Sequence, residues 1–263
     1  MLPALLHAQE LTYLSIAFLA IGDDHEIYND FDSNVTDPAF APANSAYNNY
    51  LGAANPDPID PGTNYYEFRH GDAAFFVWDT RTYRSPDGAE DDEDKTMLGL
   101  RQREVFLNWA ARVNNTVTWK FVVSSVPLMS LWSHGSDTWA GFTTERDIIM
   151  DVLEYVPNVI AISGDRHEHA TASIRNTVTE FSTSPLSMFY LPFRTLSQRH
   201  GRGATGEDQL LKCEALCLVC SLAPARVTDP KSIRHPGRQL QVHYVRGRHP
   251  HCQRACRPRQ GLC

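Results

Sequence analysis

The sequence predicts an α/β fold, and three observations carry that reading. Short runs of β-branched and aromatic residues, Ala73-Ala-Phe-Phe-Val-Trp78, Thr118-Trp-Lys-Phe-Val-Val-Ser124 and Val159-Ile-Ala-Ile-Ser163, have the length and composition of buried strands. Between the first two lies a stretch, 98–113, with Leu100, Val105, Phe106, Trp109 and Val113 near helical spacing, which makes a β-α-β unit. Two apolar runs also end abruptly in a glycine followed by acidic and imidazole side chains, the arrangement in which an open α/β sheet presents ligands beyond its strand ends.

The remaining elements come in order along the chain. Leu14-Ser-Ile-Ala-Phe-Leu-Ala-Ile21 reads as the strand that delivers Gly22-Asp-Asp-His-Glu26, closed by Asn29. Residues 32–64, rich in Asn, Pro, Asp and Ala, and the acidic run 85–95 read as loop insertions. Residues 144–155 read as a short helix with Ile148, Ile149, Val152 and Tyr155 inward, stopped by Pro157. Ala170–Ile174 and Val178–Phe181 flank Arg175-Asn-Thr as a hairpin. The architecture expected is a layered α/β sandwich.

Composition divides the chain. It has 263 residues, 42% of them hydrophobic, enough for a sizeable core, and a formal net charge of −7. Residues 195–263 hold 12 Lys/Arg and 4 Asp/Glu, a net of +8, together with all six cysteines, at 213, 217, 220, 252, 256 and 263. Apolar periodicity fades after Phe193, so the expectation is a Cys/Arg-rich tail over 194–263 that is disordered or of separate origin, since low apolar content does not offset chain entropy. The alternative is a zinc or disulfide module, but the Cys213-x3-Cys217-x2-Cys220 spacing matches no common knuckle. A basic tail without an aromatic platform is no specific nucleic-acid reader.

The chemistry lies in the paired turns. Gly22-Asp-Asp-His-Glu26 and Gly164-Asp-Arg-His-Glu-His169 supply the oxygen and imidazole donors that hard or borderline divalent ions prefer, and each glycine lets the backbone turn sharply at the strand end. Either turn alone is as readily a solvated helix cap. Together they point to a metal-centred hydrolase.

Five segments in order, Asp23-Asp-His-Glu-Ile-Tyr-Asn-Asp-Phe31, Tyr66 to Arg84, Thr96-Met-Leu-Gly99 with Gln102, Gly164-Asp-Arg-His167 and Ser182-Thr-Ser-Pro-Leu-Ser187, resemble the PhoD-like alkaline phosphatases, a branch of the metallophosphoesterases. The resemblance covers residues 22 to about 193 and implies a partial metallophosphoesterase-type sandwich that hydrolyses phosphate monoesters or diesters. It implies a divalent metal, calcium, with iron as a second candidate. It assigns Asp24, Asn29, Asp165 and His167 to the metal, and His25 to phosphate contact or leaving-group protonation, with Arg166 beside it in the catalytic set. Arg81 and Arg84 are expected either to clamp a phosphate or to pair with Asp79 and Glu67. His70 and His134 have only loop context and read as surface polar residues.

In that family, earlier strands supply Asp, Tyr and often Cys ligands, whereas the 21 residues before Gly22 contain neither Asp nor Cys. The alternative expectation is therefore a divergent segment over 1–21 and a catalytically incompetent fragment with weak metal or phosphate binding. The family is often secreted or at the cell surface, and sequons at Asn34 and Asn114 are compatible with that. The first 22 residues carry no Lys or Arg, form no convincing signal peptide and hold no apolar stretch long enough to anchor the chain in a bilayer.

Overall fold

The computed structural model describes residues 19–131, 136–183, 208–215, 233–235 and 238–240. A seven-stranded mixed sheet organises them, with strands β1 (Tyr66–His70), β2 (Ala73–Val77), β3 (Trp119–Val123), β4 (Val159–Ser163), β5 (Glu168–Ile174), β6 (Val178–Ser182) and β7 (Asp208–Ala215) in the order β1-β2-β3-β4-β6-β5-β7. β2, β3, β4 and β6 run parallel, while β1, β5 and β7 each join antiparallel to a neighbour. The mixed α/β class is the one the sequence predicts. A separate antiparallel pair joins β8 (Ile233–His235) to β9 (Arg238–Leu240).

Alternation along the strands sorts the two sheet faces. Ala74 and Phe76 of β2, Val122 of β3, and Val159 and Ala161 of β4 are buried in one core with Phe106, Trp109, Ala110 and Val113 of α2 (Gly99–Val113) and Ile149, Met150 and Leu153 of α3 (Thr143–Leu153). Phe76 meets Phe106 and Trp109 edge-on at 5.2 and 5.5 Å between ring centres, and Trp78 meets Phe106 at 4.8 Å, geometries that suit the ring quadrupoles. On the opposite face Phe68, Phe75 and Phe121 stack across three strands at 4.5 and 4.7 Å and are only half-buried.

Helix phases differ in part from the expected ones. Leu100 is 72% exposed, because the inward stripe of α2 runs through Gln102, Phe106, Trp109, Ala110 and Val113. Ile148 and Tyr155 also face outward; α3 buries Glu145 and Arg146 beside Ile149, Met150 and Leu153, and two charged residues on its inner face disguised the phase. Both are buried because each has partners. Glu145 accepts hydrogen bonds from Thr96 Oγ1 and from the amides of Met97 and Leu98, fixing the start of α2, and Arg146 binds the carbonyl of Leu128 and the carboxylate of Asp208.

Three segments read as loop or tail carry defined structure. Within 32–64, Phe40–Tyr50 forms helix α1, and Pro42 sits in its first turn, where a missing N–H costs nothing. Its single buried residue, Tyr47, leaves too faint an apolar stripe to read from sequence. In the acidic run, Asp91 accepts from the amides of Thr143 and Thr144 and so caps α3 from a distance, while Lys95 Nζ donates to the carbonyls of Asp87 and Ala89 and lies over the Phe142 ring. β7 falls inside the span expected to be tail, yet it pairs along the whole of β5, so the sheet extends past the expected boundary at 193. The apolar run over 14–18, His134, Ser184 to Ser187 and every cysteine but Cys213 lie outside the described residues. No helix among the described residues is long and apolar enough to cross a membrane.

Candidate metal centre

The candidate site sits beyond the carboxyl ends of the parallel strands, where backbone amides and carbonyls leave the sheet and the connecting turns converge. β2 leads into Trp78-Asp-Thr-Arg81, β3 into Ser124-Ser125, and β4 into Gly164-Asp165. These exits are tied together: Trp78 N donates to Val123 O, Ser124 N to Ile162 O, Gly164 N to Ser125 O at 3.0 Å, and Thr183 N to Ser163 O. Glu180, fully buried on β6, accepts from the amides of Leu128 and Met129 and from Ser163 Oγ, which fastens the loop after β3 under the site. Burial raises its carboxyl pKa despite those donors.

The second turn is built with unusual backbone. Asp165 and His167 both adopt positive φ, 68° and 55°, a region that non-glycine residues enter at a cost, and one Arg166 N to Gly164 O bond of 2.8 Å closes the bend. Its effect is to turn Asp165 and His167 toward the first motif. There Ile27 N donates to Asp24 O in a tight turn, and Asp24, 3% exposed, accepts from Asp30 N at 2.7 Å. The approach to this motif is not a strand over residues 19–22. Instead Ala20 is held by side chains from the 32–64 region and β1: its amide donates to Asn55 Oδ1, and its carbonyl accepts from Tyr47, Asn55 and Tyr66.

Oxygen atoms of Asp23, Asp24 and Asp165 lie within 4.8 Å of one another, a ligand set that suits a hard divalent ion. The fit is supported by an orphan: Asp165 Oδ2 is buried without a hydrogen-bond partner. Burial, and then the nearby Asp23 and Asp137 charges, push the Asp165 pKa up to about 7, as expected of a carboxylate crowded by its own kind. His25 and His167 face each other edge-on with ring centres 6.2 Å apart. The His25 pKa is raised, chiefly by its 3.1 Å contact with Asn29 Oδ1, whereas burial and then the His25 charge lower that of His167. Of the two, His25 is the exposed ring whose charged form is favoured and His167 the one whose neutral form is favoured.

Of the residues picked from sequence, Asp24, Asp165, His167 and His25 are brought together, and Asn29 stands at the rim on His25. Arg81 and Arg84 face carboxylates and carbonyls of the protein itself. Arg81, 2% exposed, donates through Nε to Asp23 at 2.7 Å and through Nη1 to Phe31 O, and its Nη2 lies 3.6 Å from Asp165 and 3.7 Å from Asp137. Burial opposes its charge, but the surrounding carboxylates outweigh that and hold it protonated. Arg84 is buried against Asp87 and the Asp137 carbonyl, and Glu67 pairs with Arg112 instead. Arg166 likewise faces Asp137 at 3.2 Å and Asp165 at 3.7 Å.

Three participants escaped the sequence reading. Asp23 sat beside Asp24 without an assigned role; Asp137 lies in a polar loop with no motif to mark it; and Ser125 is an ordinary serine after a strand. The last donates to Asp23 Oδ1 at 2.8 Å and meets Thr80 Oγ1 at 2.6 Å, so two strand exits orient one carboxylate.

Fold and site together define a mixed α/β protein with a cluster of carboxylates at the ends of its parallel strands. The chain belongs to the PhoD-like phosphatase family, whose model matches residues 8–213. Its fold is similar to that of a solved structure of PhoD, with a TM-score of 0.52 and 21% identity over 62% of this chain and 38% of that one. The chain therefore spans less than two thirds of that protein. Weaker likenesses are to a dimetal phosphatase from Danio rerio, with a TM-score of 0.44, 15% identity and 67% and 63% of the two chains covered, and to GAP50, the anchor in the inner membrane complex of Plasmodium, at 0.35, 16%, 60% and 45%. No curated protein matches the chain.

Proposed function

We propose that this chain hydrolyses phosphate esters at a divalent metal held by Asp23, Asp24 and Asp165, with His167 and Asn29 as neighbouring donors. The observation that carries the reading is the convergence of those three carboxylates from two distant turns, within 4.8 Å, in a chain of the PhoD-like family. The all-oxygen core favours calcium, and iron is the second candidate once imidazole joins the set. When bound, the metal would polarise a phosphoryl oxygen and offset charge in the displacement.

The chain's own groups supply the rest. His25 is solvent-facing, its charged form favoured by Asn29 and then by Asp24 and Asp23, and its Nε2 is the group placed to deliver a proton to a departing alkoxide. Arg81 and Arg166 neutralise the carboxylates from behind rather than reaching for substrate. The pairing of Arg166 with Asp137 and Asp165 gives it a positioning part in the centre.

The test is turnover of p-nitrophenyl phosphate and bis-p-nitrophenyl phosphate by protein loaded with calcium, with iron, or with both. Metal-dependent hydrolysis that falls on the order of 100-fold or more in D165N and in H167A is expected. Absence of turnover with every metal, or turnover unchanged in both variants, would overturn the reading.

A further inference from the structure

Two Asn-x-Thr triplets lie among the described residues, Asn34-Val-Thr36 and Asn114-Asn-Thr116, and the fold treats them in opposite ways. Such a triplet is the acceptor signal for an N-linked oligosaccharide, a bulky polar group that a folded protein carries where the asparagine stands clear of its packing. The triplets alone do not rank themselves; their surroundings do.

The first triplet sits in the loop between the first acidic turn and α1. Asn34, Val35 and Thr36 are all exposed, and Ser33, with a φ of 80°, puts a sharp bend just ahead of them. Val35 N donates to Ser33 O at 2.7 Å and Asp37 N to Asn34 O at 2.8 Å, so the triplet is held as a tight surface turn. Within it Thr36 Oγ1 donates to Asn34 Oδ1 at 2.7 Å. The carboxamide is gripped by its oxygen, and Nδ2, the nitrogen a sugar would join, has no hydrogen-bond partner among the described residues. The loop is anchored by other groups: Phe31 before it stacks on Phe40 after it with ring centres 5.7 Å apart, and Tyr28 Oη donates to Asp37 at 3.3 Å. A sugar on Asn34 Nδ2 displaces none of these contacts.

Asn114 is placed otherwise. It is the partly buried C-terminal cap of α2, still in helical backbone with φ −44° and ψ −51°, and its amide donates to Ala110 O. Thr116 is engaged elsewhere: its Oγ1 accepts from Arg69 Nη2 of β1 at 2.7 Å and lies 3.3 Å from the carbonyl of Arg112, whose side chain pairs with Glu67 of β1. The hydroxyl that in the first triplet serves the asparagine here ties the end of α2 to the edge of the sheet.

We propose that Asn34 is an N-glycan acceptor in the folded chain and that Asn114 is not. The donor is an oligosaccharide carried on a polyprenyl pyrophosphate. Asn34 Nδ2 bonds to the anomeric carbon as the carbon–oxygen bond to pyrophosphate breaks, the lipid pyrophosphate leaves with the electron pair, and one Nδ2 proton passes to a base of the transferase.

The experiment presents the folded protein to the transferase. Full-length wild type, N34Q and N114Q, purified from a host without N-glycosylation and shown to be folded by circular dichroism, are incubated with lipid-linked oligosaccharide and a single-subunit oligosaccharyltransferase that requires only Asn-x-Thr. An Asn-x-Thr peptide in the same mixture reports that the transferase is active. Intact mass should rise by one glycan on the wild type and on N114Q and stay unchanged on N34Q, and peptide mapping should place the sugar on Asn34. An unmodified wild type beside a modified peptide, or a sugar on Asn114 of the wild type, would overturn the proposal. If N34Q does not fold, mapping of the wild type and N114Q decides it by the same two outcomes.

Discussion

Arg146 of α3 and Asp208 of β7 lie 62 residues apart and form a buried pair in which Arg146 Nη2 stands 2.7 Å from both carboxylate oxygens. Asp208 also accepts from the amide and hydroxyl of Ser130, so one side chain joins the helix layer, the loop after β3 and the edge of the sheet. That contact makes β7 part of the domain. Asp208→Ala would strand Arg146, 1% exposed, as a buried charge without its partner. The expected loss is about 3–5 kcal/mol in urea unfolding. The double variant R146M/D208L should recover most of it, because replacing both charges removes the desolvation cost as well. A D208A protein as stable as the wild type would show that β7 is not docked.

Ser125 should matter to the metal without touching it. Its hydroxyl donates to Asp23 Oδ1 and meets Thr80, so it fixes one carboxylate in the cluster. Ser125→Ala is expected to lower calcium affinity about tenfold in calorimetry, in line with the roughly 10–100-fold cost of losing a group that orients a ligand. Its effect on unfolding should stay near about 1 kcal/mol, the value of an ordinary hydrogen bond. Unchanged affinity would dismiss Ser125 as an orienting group.

A proton donor counts most when the leaving group is a poor one. His25→Ala should therefore lose roughly 100-fold or more on an alkyl phosphate, and far less on p-nitrophenyl phosphate, whose phenolate departs without help. Equal losses on both substrates would assign His25 to phosphate contact instead.

Glu180 gives the fold a pH dependence with a definite sign. Burial raises its pKa above the ordinary 4.5, so the folded state holds its proton more tightly than the unfolded chain does. Its contribution is complete below about pH 4.5 and is lost as pH rises through the folded value, with a slope of at most about 1.4 kcal/mol per pH unit. Urea unfolding of metal-free protein across this range should show stability declining with pH. In E180Q, which is less stable at every pH because Gln accepts through one oxygen only, the slope should be shallower by Glu180's share, while other raised carboxyls such as Asp165 keep theirs. Parallel pH profiles for the two proteins would exclude Glu180 as the source.

The sequence by itself determined the elements whose signals are local. β2, β3, β4 and the β5–β6 hairpin are legible because strand residues cluster and turn residues bound them, and α2 because Phe106, Trp109 and Val113 recur at helical spacing. The second acidic turn was visible for the same reason: the run Val159 to Ser163 stops at a glycine, and the side chains beyond that glycine lie at a strand end. Every relationship of charge to charge required the tertiary structure. Nothing near Arg81 in sequence shows that Asp23 would claim it, 58 residues away, nor that Asp137 would stand between two arginines. The tail's composition hid β7, because one Asp and a few apolar residues suffice for an edge strand when β5 supplies the hydrogen bonds and Arg146 the counter-charge. α1 was hidden likewise, its single buried tyrosine serving to grip Ala20 rather than to fill a core. Periodicity is written within a few residues, whereas the partner of a buried charge is chosen by which strand ends the sheet brings together.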